Sequence, residues 1–512
     1  MKLNYKRIIL VGFAFFLIQA FWQAYDNTIP MILTNKFGMS QAWSGAIMAL
    51  DNVLALFMLP ILVSNLFQQL YNTVDTMIVG KLLGAGALAA VGSTSSISFL
   101  VIGFCMGVCN GFAIPVAQRV GANDPVRMRR YVANAAYLSA LFALVLTVAT
   151  GLLCRAILTV MQTPADIFAG AYIYIFIIFM GIPTTFLYNL LAGIIRSLGD
   201  SRAPVYFLAL SSVLNIFLDF AFILWFHTGV AGAAIATVVS QGISGVACLA
   251  YMWKKYPILR MTREERRLDP DTCRHLCIMG VPMGLQYSIT AIGSIVLQAA
   301  VNGLGSTYVA AVAAGSKLFQ LLCCPFDAMG ATMATYCGQN VGALKLGRLG
   351  QGIRSCTLLG VICSGAILLS MVLFSGQCAM LFLDPKEPQL ELLRSLTSQY
   401  ILINSAFCIP LSLVNIVRFS IQGMGYSVFA ILAGVLEMAA RVGVAYFLVP
   451  PLGYAAACFA SPAAWISADA FLIPACMLCI ARLRRRYPAE DGTPQQVPAP
   501  ARQSCGERPA PM

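Results

Sequence analysis

The sequence predicts an all-α polytopic membrane protein: two six-helix bundles, twelve spans in all, preceded by one extra amino-terminal hydrophobic helix. Three observations carry this prediction. Hydrophobic residues make up 59% of the 512-residue chain and charged residues only 10%, more apolar surface than one soluble core can bury. Apolar runs long enough to cross a bilayer as helices recur between short polar or Gly/Pro-containing turns. The second half of the chain also repeats the first. The runs are continuous and do not alternate with period two, which selects helices over a membrane β-barrel.

The first run, residues 8–29, stands outside the repeat and belongs to an amino-terminal fragment, 1–56. A first bundle, 57–254, holds spans near 53–80, 89–117, 131–153, 167–195, 203–226 and 229–253. The polar loop 255–275 follows, and then a second bundle, 276–481, with spans near 276–303, 308–337, 353–376, 395–421, 426–449 and 452–481. Beyond Arg482 a Pro-rich polar tail, 482–512, reads as disordered and cytoplasmic. The repeat aligns LLGAGALAAVG (82–92) with GLGSTYVAAVA (303–313), and AQRVGA (117–122) with GQNVGA (338–343). After a small shift, RSLGDS (196–201) meets QGMGYS (422–427). Six spans per half is an even number, so both halves enter from the same side and are related by an axis along the membrane normal.

The net charge of +13 does not point to nucleic acid, because the basic residues fall in alternate connections. These are Arg119 with Arg127, Arg129 and Arg130; Arg196 with Arg202; Lys254 to Arg274; Lys345 with Arg348 and Arg354; Arg418; and Arg482 to Arg486. They are expected to face the cytoplasm, and the intervening loops to face outward. The 17 cysteines scatter through apolar runs as small hydrophobes, and the single C-x-x-C at Cys476 and Cys479 lacks a second pair, so no metal or redox centre is expected. His227 and His275 are expected in solvated loops. No nucleophile elbow, phosphate loop or zinc-protease motif appears, and the chain reads as a non-enzyme without cofactors.

Acids inside apolar spans are costly and therefore candidate functional groups: Asp51, Asp75, Asp219, Asp327, Glu437 and Asp469. Gln68, Tyr71, Asn72 and Asp75 follow helical spacing and share one face, so they are expected to look into a cleft. Asn215 and Asp219 are likewise four apart. Oxygen ligands of this kind suit Na⁺, and a buried carboxylate can instead carry H⁺; the residues do not choose between them. Asp327 neighbours Pro325, where a helix break could expose carbonyls to a ligand. Glu437 and Arg441, also four apart, are expected to neutralise one another as a structural ion pair. Asp469 has no obvious partner in the sequence. For every acid the plainer alternative is a structural group satisfied by a neighbouring helix.

Several long stretches carry a family resemblance: LPILVSNLFQQLYNTVDTMIVGKLLG, LYNLLAGIIRSLGDSRAPVYFLALSSVLNIFLD, AGAAIATVVSQ, GQNVGA and VRFSIQGMGYS. Together, over about residues 57–481, they resemble the MATE (multidrug and toxic compound extrusion) transporters. The resemblance implies two lobes and efflux of amphipathic, often cationic, drug-like compounds in exchange for Na⁺ or H⁺. It further implies a monomer in a bacterial inner membrane. It assigns cation or proton binding to Asp75, Asn215, Asp219 and Thr237, and a polar lining of the same lobe to Gln68, Tyr71 and Asn189. In the seventh span of the repeat Gln286 joins the cleft residues, but no acid is present there, so no cation site is expected in the second lobe. The wider superfamily includes lipid and oligosaccharide flippases, which is the alternative within transport. Residues 1 to about 60 resemble instead the start of a major facilitator superfamily transporter, with a join near Leu59–Ile61. Such a chimera admits a second alternative, a non-functional membrane protein. Lys2, Lys6 and Arg7 favour a cytoplasmic amino end, which conflicts with the topology of the repeat.

Overall fold

The computed structural model describes residues 41–161, 163–380 and 390–487. The helix expected over 8–29 lies outside the described residues, as does the tail expected over 482–512 from residue 488 on; its first residues, to Arg486, are instead the last turns of the final helix. All regular structure among the described residues is helical. Nine helices there are long and apolar enough to cross a membrane, and two bent pairs raise the count to eleven. One helical run, Gln41–Gly121, precedes the rest and changes direction at Gly84, giving α1 (41–84) and α2 (Ala89–Gly121). The first lobe continues with α3 (Pro125–Val160), α4a (Ala165–Met180), α4b (Ile182–Ser197), α5 (Arg202–Trp225) and α6 (Val230–Lys255). The second comprises α7 (Pro270–Asn302), α8 (Ser306–Gly342), α9 (Gly347–Ala379), α10a (Leu390–Ala406), α10b (Cys408–Gly423), α11 (Val428–Leu452) and α12 (Tyr454–Arg486).

The two lobes turn at matched residues. Positive φ pairs Gly84 with Gly305, Asn123 with Leu344 (52° and 57°), Gly199 with Gly425 (both 97°), and Gly229 with Gly453 (61° and 63°). Leu344 therefore holds a left-handed conformation that disfavours leucine, where its counterpart is the more tolerant asparagine. The halves also break alike: α4a meets α4b at 44° and α10a meets α10b at 50°. A π-helical turn ends α5 at Ala221–Trp225 and interrupts α11 at Val444–Leu448.

Helix starts follow local chemistry. Asp124 caps α3 ahead of Pro125, accepting from the Arg127 N–H at 3.1 Å. Asp200 Oδ1 accepts from the N–H groups of Arg202 and Ala203 at the head of α5, while its other oxygen takes Lys255 Nζ at 2.9 Å and Tyr256 Oη at 2.8 Å. Burial alone would raise the Asp200 carboxyl, but Lys255 and these donors hold it at about 2. The loop between the lobes is fastened under the first: Glu265 takes both Arg129 Nη2 (2.6 Å) and Nε (2.9 Å), and Asn134 Oδ1 accepts from the Asp269 N–H. The Arg129 bonds hold Glu265 at about 2, against an ordinary 4.5. His275, expected in a solvated loop, sits inside α7 with Nδ1 2.9 Å from Tyr131 Oη.

The lobes meet through small residues. A Cβ on Gly107 or Gly111 of α2 would fall 2.5 Å from Met283 O or Gly280 Cα of α7, so two G-x-x-x-G faces, 107/111 and 280/284, let the backbones touch. At the arginine-rich end, a Cβ on Gly121 would lie 2.0 Å from Gln339 O, and one on Gly342 1.8 Å from Gln118 O. Met58, Ile61 and Leu62, around the expected join, are buried in the second lobe's core with Phe319, Met329 and Met333.

Candidate functional site

The lobes separate toward the arginine-poor face. Gly338 of α8 packs against Ala117 of α2 with a Cβ approach of 3.3 Å. About five turns along, on the same two helix faces, Gln320 and Phe99 are exposed. Further out the exposed positions continue in register: Lys317, Ala313 and Ala310 on α8, and Ser96, Gly92 and Ala89 on α2. The faces that touch at one end thus line a cleft at the other. Gly103 against Tyr287 Cβ, 3.3 Å, marks its floor on α2. Asp327 is exposed on the same α8 stripe, three turns short of the Gly338 contact by helical pitch. Tyr287 is an electrostatic neighbour of Asp327, Arg196 and Arg418.

The predicted cation ligands converge inside the first lobe. Asp75 (8% exposed) on α1 and Asp219 (0%) on α5 are buried electrostatic neighbours. Asn215, one turn before Asp219, joins them to α6. With its amide turned to satisfy both sides, Asn215 donates to Asp219 Oδ2 at 3.1 Å and accepts from the Thr237 N–H at 3.3 Å. Thr237 Oγ1 donates to Ala233 O at 3.0 Å, so its proton is committed to its own helix and the oxygen can act toward a cation only as an acceptor. Asp75 Oδ1 and Asp219 Oδ1 have no hydrogen-bond partner among the described residues. Two carboxyls this close share a proton or hold a cation between them.

A cavity of about 60 Å³ lies in the same lobe, its lining including Gln68, Thr185, Asn189, Ser211, Ser212 and Gln241. Gln68 and Asn189 were expected in this lining; Thr185, Ser211, Ser212 and Gln241 were not. Gln241 stands four residues after Thr237 in AGAAIATVVSQ, a spacing that could have revealed it. Thr185 Oγ1 donates to Gln241 Oε1 at 3.1 Å, which orients that wall. The side chains of Tyr71 and Asn72 lie outside the described residues.

The second lobe carries a different constellation. Gln286 is buried, its Oε1 accepting from Gln422 Nε2 at 2.7 Å, so it faces a helix partner and not the open cleft. Glu437 Oε2 lies 3.6 Å from Arg441 Nη1, and its Oε1 accepts from Arg418 Nη2. Asp469 on α12 is an electrostatic neighbour of Arg418 and Glu437. Two basic residues expected in cytoplasmic connections are therefore corrected. Arg418 lies inside α10b, buried against Glu437, and Arg196 lies in α4b, where Nη2 donates to Asn110 Oδ1 at 3.1 Å. A count of basic residues by loop does not see that a neighbouring span supplies a partner.

The MatE family model matches residues 60–221 and 282–447. The "Probable multidrug resistance protein YoeA" of Bacillus subtilis is 30% identical over 65% of this chain and 74% of its own length. The "Probable multidrug resistance protein YpnP" of the same organism is 32% identical over 56% and 64%. Among solved structures, an outward-facing multidrug resistance MATE family transporter superposes with TM-score 0.79 at 20% identity, covering 85% of this chain and 96% of the other. The two matched segments fall one in each lobe, and this chain belongs to the MatE family of membrane transporters.

Proposed function

We propose that this protein is a secondary active multidrug efflux antiporter that exports amphipathic, often cationic, compounds by alternating access of its two lobes. The exchanged ion, Na⁺ or H⁺, binds at Asp75 and Asp219 with Asn215 and Thr237 as neutral ligands. The observation that carries the reading is the buried carboxyl pair, each member with an oxygen unpartnered among the described residues, beside a cleft open at one membrane face. A charge in a span costs about 2.5–3.5 kcal/mol on insertion scales, and two on one side of one bundle need a cation to offset them. The arginine-rich face is taken as cytoplasmic, in a bacterial inner membrane, so the cleft opens outward. Export then follows from ordinary linkage: an ion entering from outside displaces the drug and drives the lobes to reopen inward.

The test is substrate-induced ion flux in proteoliposomes with imposed Na⁺ and H⁺ gradients compared. Flux that follows one gradient supports the antiporter and names the ion. Drug or lipid movement indifferent to both gradients would leave the flippase reading.

A further inference from the structure

The cleft wall is polarised along its depth. On the exposed stripe of α8, Lys317 stands near the mouth and Asp327 near the floor, about 15 Å apart by helical rise. Neither has an ion-pair partner among the described residues, so both charges are available to a ligand. Between them the stripe offers Gln320, and Phe99 faces it from the equivalent position of α2 with an exposure of 49%. An ammonium group therefore meets its counter-charge at the floor of the cleft, and the apolar stretch between the two charges passes the exposed Phe99 ring. A ligand whose far end is anionic gains a second contact at Lys317 that a simple cation lacks.

We propose that Lys317 and Asp327 are specificity-determining residues that select extended zwitterionic amphiphiles, with the ammonium seated at Asp327 and a carboxylate or phosphate at Lys317. This deepens the efflux reading and rests on it for the direction of transport only. The two lobes differ here by sequence and not by fold, since the α2 residue equivalent to Lys317 is Ser96. The preferred ligand consequently lies with its charged ends against α8 and its apolar middle toward α2.

The matched probes are a tritiated ω-trimethylammonio fatty acid whose charges span about the same distance and its methyl ester, which keeps the cation and loses the anion. Equilibrium binding to the full chain in nanodiscs is measured for both. The wild type is expected to bind the acid about fivefold more tightly than the ester. Lys317→Gln brings the two within about twofold, Lys317→Arg restores the ratio, and Asp327→Asn weakens both probes together. A ratio near one in the wild type, or a ratio that survives Lys317→Gln, overturns the proposal. Because a ratio of two ligands on one sample is read, partial misfolding does not imitate the result. Selective binding without gradient-driven flux would defeat the antiporter reading and leave this one standing; flux with a flat ratio would do the reverse.

Discussion

Gln118 and Gln339 fasten opposite lobes by the same hydrogen bond: Gln118 Nε2 donates to Gly423 O at 3.1 Å, and Gln339 Nε2 donates to Ser197 O at 3.0 Å. The four residues are equivalent by the internal repeat, so the contact is doubled across the pseudo-twofold axis. It sits where Gly121 and Gly342 let the backbones cross, at the arginine-rich end that closes the cleft. Each bond contributes about 1 kcal/mol net, so losing both shifts the open–closed equilibrium at this end roughly thirtyfold. In Gln118→Ala/Gln339→Ala, hydrogen exchange at segments 104–112 and 279–287 is expected to accelerate by that order. Gln118→Glu alone cannot donate and should accelerate exchange by about fivefold, the effect of one bond, whereas Gln118→Lys, which can donate to Gly423 O, should stay close to wild type. Equal protection in all variants would show the glutamines to be passive.

Gly342→Ala tests the same closure sterically. Its Cβ would lie 1.8 Å from Gln118 O, a backbone atom that cannot swing aside. Overpacking of this kind costs about 1–3 kcal/mol. The variant should favour the state open at the arginine-rich end, read as the same accelerated exchange with the secondary structure unchanged.

Asp75→Asn is expected to abolish gradient-driven ion flux while the melting temperature stays within a few degrees of wild type. The amide keeps the hydrogen-bonding shape but can neither carry a proton nor balance a cation. Asp219→Asn should reproduce the loss. Wild-type coupling in either variant would reassign that acid to a structural role.

How much of this was legible in the sequence depends on what each feature needs. The spans and the repeat were legible because hydropathy and internal identity are local, and the matched turns at Gly84 and Gly305 fall inside the aligned motif. Asp75 and Asp219 stood out because a charge in a span is conspicuous whatever surrounds it. Lys317 did not, since one lysine in an apolar helix is as easily a residue that reaches toward the interface, and its exposure to a cleft depends on where the other lobe separates. Arg418 was hidden for the opposite reason: its partner Glu437 is on another helix, and the i, i+4 pairing of Glu437 with Arg441 accounted for that acid by itself. Tertiary proximity is what spacing rules leave out.

Glu437 lies between two buried guanidinium groups, so Glu437→Ala strands both. Breaking a buried pair in this way costs about 3–5 kcal/mol, against far less for replacing the charges together by apolar side chains. Thermal unfolding in detergent should show a large loss for Glu437→Ala and a substantial recovery in Arg418→Met/Glu437→Leu/Arg441→Met, which removes all three charges together. A loss no greater than that of a surface substitution would mean the arginines find another counter-charge, for which Asp469 is placed.

The Glu265–Arg129 clamp predicts a pH dependence that can be separated from that of the proposed ion site, because Glu265 lies in the loop and outside the spans. The folded carboxyl sits at about 2 and its ordinary value is 4.5, so the folded state binds its proton less readily than the unfolded one. A depressed acid stabilises fully above the unfolded value, and its contribution fades as pH falls from about 4.5 toward 2. The melting-temperature gap between wild type and Glu265→Gln should therefore be constant from pH 7 to about 5 and shrink below that. Trypsin at neutral pH should also cut the 260–267 segment faster in Glu265→Gln and in Arg129→Ala than in wild type. A gap that widens on acidification would reverse the sign of the linkage and place the proton uptake elsewhere.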